Sequence, residues 1–128
     1  MGMQQSTLCE TQHLRVLIDV QDVSLAANIF LPYPAHSLVI FAHGSGSSRH
    51  SPRNRFVAGE LTETGIAAML VDLLSEDEAA LDEHGAQLRF DIPFLASRLI
   101  ALTDWIHAQP RFAALPLGYF GASTGAAA

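Results

Sequence analysis

Lysine is missing from the 128-residue sequence. All seven Lys/Arg positions are arginine, and against thirteen acidic residues they leave a formal net charge of −6. Nucleic-acid binding rests on clustered cations facing phosphates, and so acidic a balance argues against it. Cysteine occurs once, as Cys9, in a polar stretch with no catalytic neighbours. A single thiol forms no intrachain disulfide, which points to a reducing, cytoplasmic setting. No apolar run approaches the roughly 20 residues that a membrane-spanning helix needs. Residues 1–12 have neither the cationic head nor the apolar stretch of a secretory signal. Met1-Gly2 with Ser6 fits the loose myristoylation pattern, but a pattern so short recurs by chance. Neither membrane attachment nor export is expected. The chain does have 49% hydrophobic and 16% charged residues, the balance of a globular protein. Its length suits one α/β domain, 1–128, with 1–12 as a polar extension.

Apolar residues alternate or cluster over 13–19 and 23–32 around the polar break Gln21-Asp22, which predicts a β-hairpin. The continuous apolar run 38–42 predicts a strand buried on both faces, followed by a glycine-rich turn. Ser51-Pro52 starts a helix well, since serine accepts an orphan backbone N–H and proline at the first position gives up nothing. That helix is expected over 52–64, stopping at Gly65, with a second buried strand from Ile66 through Leu74. The acids Glu76, Asp77, Glu78, Asp82 and Glu83 fall in 75–87, read as a solvated loop or short surface helix, because a run of acids does not by itself supply metal geometry. Leu95, Leu99, Leu102 and Ile106 recur at helical spacing within 91–108, with Pro93 tolerated in the first turn and Pro110 closing the helix. A third buried strand is expected over 115–123, leading into a helix of small residues from Gly125. Strands alternating with helices in this way mark a parallel sheet.

That last strand runs into Gly121-Ala122-Ser123-Thr124-Gly125. A strand, Gly-x-Ser-x-Gly and then a helix is the setting in which a serine is raised on a sharp turn as a nucleophile. Side chains at Gly121 and Gly125 would crowd the neighbouring strand and helix, and the pattern could also arise by chance in a terminus rich in glycine and alanine. The turn after 38–42, with His43, Gly44 and Ser45, falls at the same carboxyl edge, where ligands bind in such sheets. The backbone N–H groups of Ser45 and Thr124 are expected to form a two-donor oxyanion hole for Ser123. Beside that hole His43 is expected to brace the loop by hydrogen bonding rather than to act as a base. A phosphate cradle is the rival reading of the loop, but no Gly-Lys-Ser/Thr ending is present. Asp72 ends the second buried strand and reads as a turn residue, with a triad acid as the alternative. Arg49, Arg53, Arg55 and His50 read as a solvated helix start, with recognition of a substrate carboxylate as the alternative.

The stretches VIFAHGSGSSRHSPRN, AAMLVDLL and LGYFGASTG resemble the first half of an α/β-hydrolase of the dienelactone hydrolase type, in matching order and spacing from about His13 onward. The resemblance covers nearly the whole chain and about half of such an enzyme. It implies the N-terminal part of an α/β-hydrolase fold, a mostly parallel sheet with an antiparallel start and helices on both faces. It also implies Ser123 as nucleophile and Ser45 and Thr124 as oxyanion donors, with a small-molecule ester or lactone as substrate and neither cofactor nor metal. Dienelactone hydrolases carry cysteine where this sequence has Ser123, so ester-type hydrolysis is implied without lactone specificity. In that fold the triad acid and histidine come after the nucleophile in the chain. His13, His36, His43, His50, His84 and His107 all precede Ser123. The expectation is therefore a serine hydrolase of ester, thioester or lactone bonds whose acid and base are lacking from these 128 residues, which alone would be inactive. The strand before Ser123 would be an apolar edge open to self-association, and the alternative expectation is a non-catalytic α/β fragment or partner-binding module.

Overall fold

A computed structural model describes residues 11–43, 49–81 and 91–122. The first two apolar stretches pair as a hairpin, β1 (Thr11–Val20) and β2 (Val23–Pro32), antiparallel from Val20↔Val23 out to Thr11↔Pro32. Gln21 (φ 50°) and Asp22 (φ 64°) both take positive φ, the backbone of a two-residue turn whose twist matches that of its strands. The next three strands, β3 (Ser37–His43), β4 (Ile66–Asp72) and β5 (Leu117–Ala122), run parallel. β3 lies between β4 and β5, while β4 also meets β2 antiparallel, giving the order β1-β2-β4-β3-β5. The mixed sheet has the antiparallel start and parallel body expected of it.

Side chains alternate across this sheet, and each face buries against a different helix. On one face Leu38, Ile40 and Ala42 of β3 and Ala67, Met69 and Val71 of β4 pack with Leu95, Leu102 and Ile106 of α3 (Ile92–His107). On the other, Phe41 of β3 and Ala68 and Leu70 of β4 pack with Ala58 of α1 (Pro52–Thr62). Burying each large apolar side chain here contributes about 1.5–3 kcal/mol, which makes the two-sided burial of β3 and β4 the main stabilising feature. α2 (Glu76–Leu81) is a single short stretch of helix beyond the end of β4. Among the described residues no helix is long and apolar enough to cross a membrane.

The helix starts are set by their caps. Ser51 Oγ accepts the Asn54 N–H at 3.4 Å and Asp91 Oδ1 accepts the Phe94 N–H at 3.1 Å, each with proline in the first turn. α1 ends two residues earlier than expected because its last turn tightens: the Thr64 N–H reaches back only to Leu61 O, at 2.9 Å. β4 likewise ends at Asp72 rather than Leu74, since the Ser75 side chain caps the start of α2, accepting the Glu78 N–H at 3.2 Å. β5 starts at Leu117 because Pro116 has no N–H to give; its carbonyl still accepts from Leu38 N at 3.0 Å.

Gly65 makes the turn from α1 into β4 with φ +87°. A Cβ there would stand 2.6 Å from Cδ2 of the exposed His36 ring, which can swing aside, whereas the backbone strain cannot be relieved. Gly65→Ala should lower stability by about 1–2 kcal/mol, the cost of a left-handed non-glycine residue. Urea unfolding checks this, and His36→Ala in the same background should recover only a minor part of the loss.

Candidate active site

Strand register decides which residues meet at the carboxyl edge of the parallel strands. His43, the last residue of β3, lies opposite Asp72 of β4 and Ala122 of β5. Three strands thus end in one row. The chain leaves His43 for Gly44 and leaves Ala122 for Ser123, so the segments bearing Ser45 and Ser123 start from neighbouring positions on paired strands. Gly44, Ser45, Ser123, Thr124 and Gly125 lie outside the described residues. Gly121 is within β5, opposite Ala42.

His43 is buried, and both of its ring nitrogens are engaged. Nδ1 is 3.1 Å from Val71 O and Nε2 is 2.8 Å from Asn54 Nδ2. A carbonyl can only accept and an amide NH2 can only donate, so Nδ1 carries the proton and Nε2 accepts. The ring is neutral in this arrangement. Burial lowers its pKa, against the opposing pull of the Val71 carbonyl and the Asp72 charge. His43 ties the end of β3 to β4 and to the first turn of α1, and no ring nitrogen is left to take a proton from a nucleophile.

Asp72 is engaged by a residue from just before α1. One carboxylate oxygen accepts the Arg49 backbone N–H at 2.8 Å and the other accepts Arg49 Nη1 at 2.7 Å. Arg55 Nε in turn donates to Arg49 O at 3.1 Å, and its Nη2 lies 3.2 Å from His50 Nδ1. The arginines at the start of α1 therefore do not all form a solvated patch, as their sequence suggested. Arg49 and Arg55 are drawn inward because the β4 carboxylate and a bent main chain offer acceptors.

The run of acids departs from its expected role at one position. Glu78 binds Arg98 of α3 through both oxygens, each at 2.7 Å, and Arg98 is only 2% exposed. Arg98 also donates to Leu73 O and Gln21 Oε1, both at 2.9 Å, and its guanidinium stands 4.6 Å from the Phe94 ring centroid. One planar cation thus joins the β1–β2 turn, the exit of β4, α2 and α3 behind the candidate site. Arg98 holds the Glu78 carboxyl below the usual range, with burial opposing. The available signal was an arginine three residues after Leu95, on the core stripe of a helix, preceded by acids.

Two other described histidines, His36 and His13, stand elsewhere. His36 precedes β3 at the opposite edge, its N–H bonded to Gly65 O at 2.8 Å. His13 on β1 stacks on Phe30 with ring centroids 4.3 Å apart and meets Asn28 Nδ2 at 2.9 Å. Burial, then the charges of Arg55 and Arg15, lowers the His13 pKa. Among the described residues no three His, Cys, Asp or Glu side chains are grouped to hold a metal ion.

No family model matches the chain. Proteins from two strains of Mycobacterium tuberculosis, provisionally named phosphoribosyl transferases, are each 53% identical over 106 residues, 83% of this chain and 23% of theirs. A dienelactone hydrolase from Anabaena variabilis superposes with a TM-score of 0.86 at 49% identity, covering 91% of this chain and 54% of its own. A cold-adapted esterase from an Arctic intertidal metagenomic library shares the fold, with a TM-score of 0.65 at 21% identity over 91% of this chain and 53% of the esterase. The chain thus spans about half the length of these solved structures and under a quarter of its curated relatives.

Glu78→Gln should destabilise the protein by about 1–3 kcal/mol at neutral pH, because it leaves a buried guanidinium facing a neutral partner. Glu78 titrates lower folded than unfolded, so its contribution is full above the unfolded pKa and disappears as pH falls through the folded one. Unfolding of both proteins measured from pH 7 downward should show their stabilities converging in acid; a constant difference would contradict the pairing.

Proposed function

The chain has the α/β-hydrolase fold of the dienelactone hydrolase type, and on that premise we propose that it carries the nucleophile and oxyanion loop of a serine hydrolase of ester, thioester or lactone bonds. Ser123 Oγ attacks the acyl carbon and passes its proton to a histidine. The backbone N–H groups of Ser45 and Thr124 hold the oxyanion, and collapse of the tetrahedral intermediate expels the alcohol or thiol with that proton, leaving an acyl-serine that water then hydrolyses. The observation supporting this is the pairing of His43 with Ala122, which starts the two relevant segments side by side at one sheet edge. Gly121 and Gly125 give the backbone room for the turn, while His43 and Gly44 support the loop.

His43 is not the base, since both its nitrogens are engaged. The triad acid and histidine are assigned to sequence outside these 128 residues, so the 128 residues alone should not turn over substrate. The single cysteine supports a cytoplasmic setting. Phosphoribosyl transfer is not proposed, because the proteins so named correspond to this chain over only 23% of their length and the solved structure at 49% identity is a dienelactone hydrolase. A second reading, a non-catalytic module that associates with itself or a partner, rests on β5. It is the last strand in the described sheet, and Tyr119 and Phe120 are 53% and 43% exposed. That reading requires function to survive Ser123→Ala.

A fluorophosphonate probe applied to the full-length protein should label Ser123, and Ser123→Ala should abolish labelling and lower ester turnover by about 10⁴-fold or more. Turnover that persists in Ser123→Ala would sink the hydrolase reading.

A further inference from the structure

α3 stops at His107, and near the open end of the β1–β2 hairpin the sheet face beyond it forms a trough. On that face Gln12 and Leu14 of β1 stand opposite Leu31 and Ile29 of β2, with Val16 next along β1. Leu14, Val16 and Leu31 are only half-buried, and they floor two adjoining cavities of about 420 and 520 Å³. Each volume falls within the range of small-molecule sites, about 300–1,000 Å³. One wall comes from the end of α3 and the chain after it, with Trp105 and Phe112 beside one cavity and Leu115 beside the other. Tyr33 and Pro34, between β2 and β3, supply the facing wall. Because Pro34 precedes β3 and Leu115 precedes β5, the trough lies at the amino edge of the parallel strands. The row of His43, Asp72 and Ala122 is at the opposite edge.

Arg111 lines both cavities, and the turn that carries it is closed by its own backbone. The N–H groups of Phe112 and Ala113 donate to Gln109 O at 3.0 and 2.9 Å, and the Phe112 side chain is buried in the core. The end of α3 does not use the Arg111 charge. Its last carbonyls accept instead from the Ala108 and Gln109 N–H groups and, at Trp105 O, from Gln109 Nε2 at 3.1 Å. Among the described residues no acid lines either cavity and none pairs with Arg111. We propose that the trough is a binding site for a monocarboxylate with an apolar body, such as a medium-chain fatty acid. Its carboxylate pairs with Arg111 and its chain lies on Leu14, Val16 and Leu31. A guanidinium offers a carboxylate two parallel N–H bonds, and Gln12 and Trp105, which also line the trough, carry further side-chain N–H donors. A lone cation among apolar walls matches a single negative charge, whereas a phosphate dianion would stay half-neutralised. No residue of the carboxyl edge takes part, so the site is independent of the hydrolase reading.

The test is calorimetric titration of the full-length protein with octanoate, kept below micelle-forming concentrations. Octanoate should bind one to one, and octanamide, with the same chain but no charge, about ten- to a hundredfold more weakly, the range that a hydrogen bond to a charged group spans. Arg111→Gln should weaken octanoate to the same extent and leave octanamide unchanged. Arg111 is exposed, so the thermal midpoint of this variant without ligand should match that of the wild type. Octanoate should also change the tryptophan emission, and Trp105→Phe should remove that change. Octanoate resembles the acid product of an ester hydrolase, so the titration is repeated after fluorophosphonate labelling of Ser123, where binding should persist. Binding that is lost on labelling, or that is indifferent to Arg111→Gln, would place the ligand at the carboxyl edge and overturn the proposal. No uptake of octanoate at millimolar concentration would overturn it as well. A dimer that Arg111→Gln dissociates, found in place of uptake, would assign the trough to a second copy of the chain and refute it. An unlabelled Ser123 would count against the hydrolase reading alone, and the Arg111→Gln result would still decide the site.

Discussion

β3 is hydrogen-bonded along both of its edges, from Ser37↔Ile66 to His43↔Asp72 on one side and from Leu38↔Leu117 to His43↔Ala122 on the other. Every other feature of the molecule depends on that double pairing. With neighbours on both edges and helices on both faces, β3 is largely buried, and its sequence is correspondingly apolar from Leu38 to Ala42. The parallel direction of all three strands brings their carboxyl ends together. The register of the ladders then aligns His43, Asp72 and Ala122 in a single row.

Polarity enters the structure where the sheet stops. Within the sheet the stabilising groups are apolar and close-packed, but beyond the last ladder bonds the backbone must turn, and its free N–H and C=O groups need partners. His43, Asp72, Arg49, Arg98 and Glu78 supply them, so that charges which would be costly alone are buried only as mutually satisfied sets. Arg98 is the extreme case, spreading its donors over a carboxylate, a main-chain carbonyl and a side-chain amide from three separate elements. The same network ties the carboxyl edge together on the β4 side. The outer side of β5 is different: no described strand pairs with it, and Tyr119 is held by α3 through a 2.8 Å hydrogen bond between its hydroxyl and Thr103.

Much of this could be read along the chain. The hairpin was visible in two alternating stretches about Gln21-Asp22, the helix starts in Ser51-Pro52 and Asp91 with Pro93, and the turn into β4 in Gly65. Each of these is local, involving residues within a few positions of one another. The residues proposed for chemistry were legible as Gly-x-Ser-x-Gly after a strand and as a glycine-rich turn after another. Their supports were not. Asn54 has no local signal of its role, Arg49 reads as part of a solvated cluster and Glu78 as one acid among many, because their partners lie 11, 23 and 20 residues away.

Local sequence was enough to settle the kinds, order and approximate ends of the described elements, because caps, turn residues and apolar periodicity act over one or two turns of chain; the helix expected from Gly125 lies outside the described residues. It was also enough to argue against nucleic-acid binding and to single out Ser123. The placing of β3 between β4 and β5, out of chain order, came from the folded state, as did the pairing of Asp72 with Arg49 and of Glu78 with Arg98. Such choices are made by burial. A charged side chain that would be indifferent to its partner in water becomes selective once the sheet and its helices exclude water around it, and that exclusion exists only after distant segments have packed.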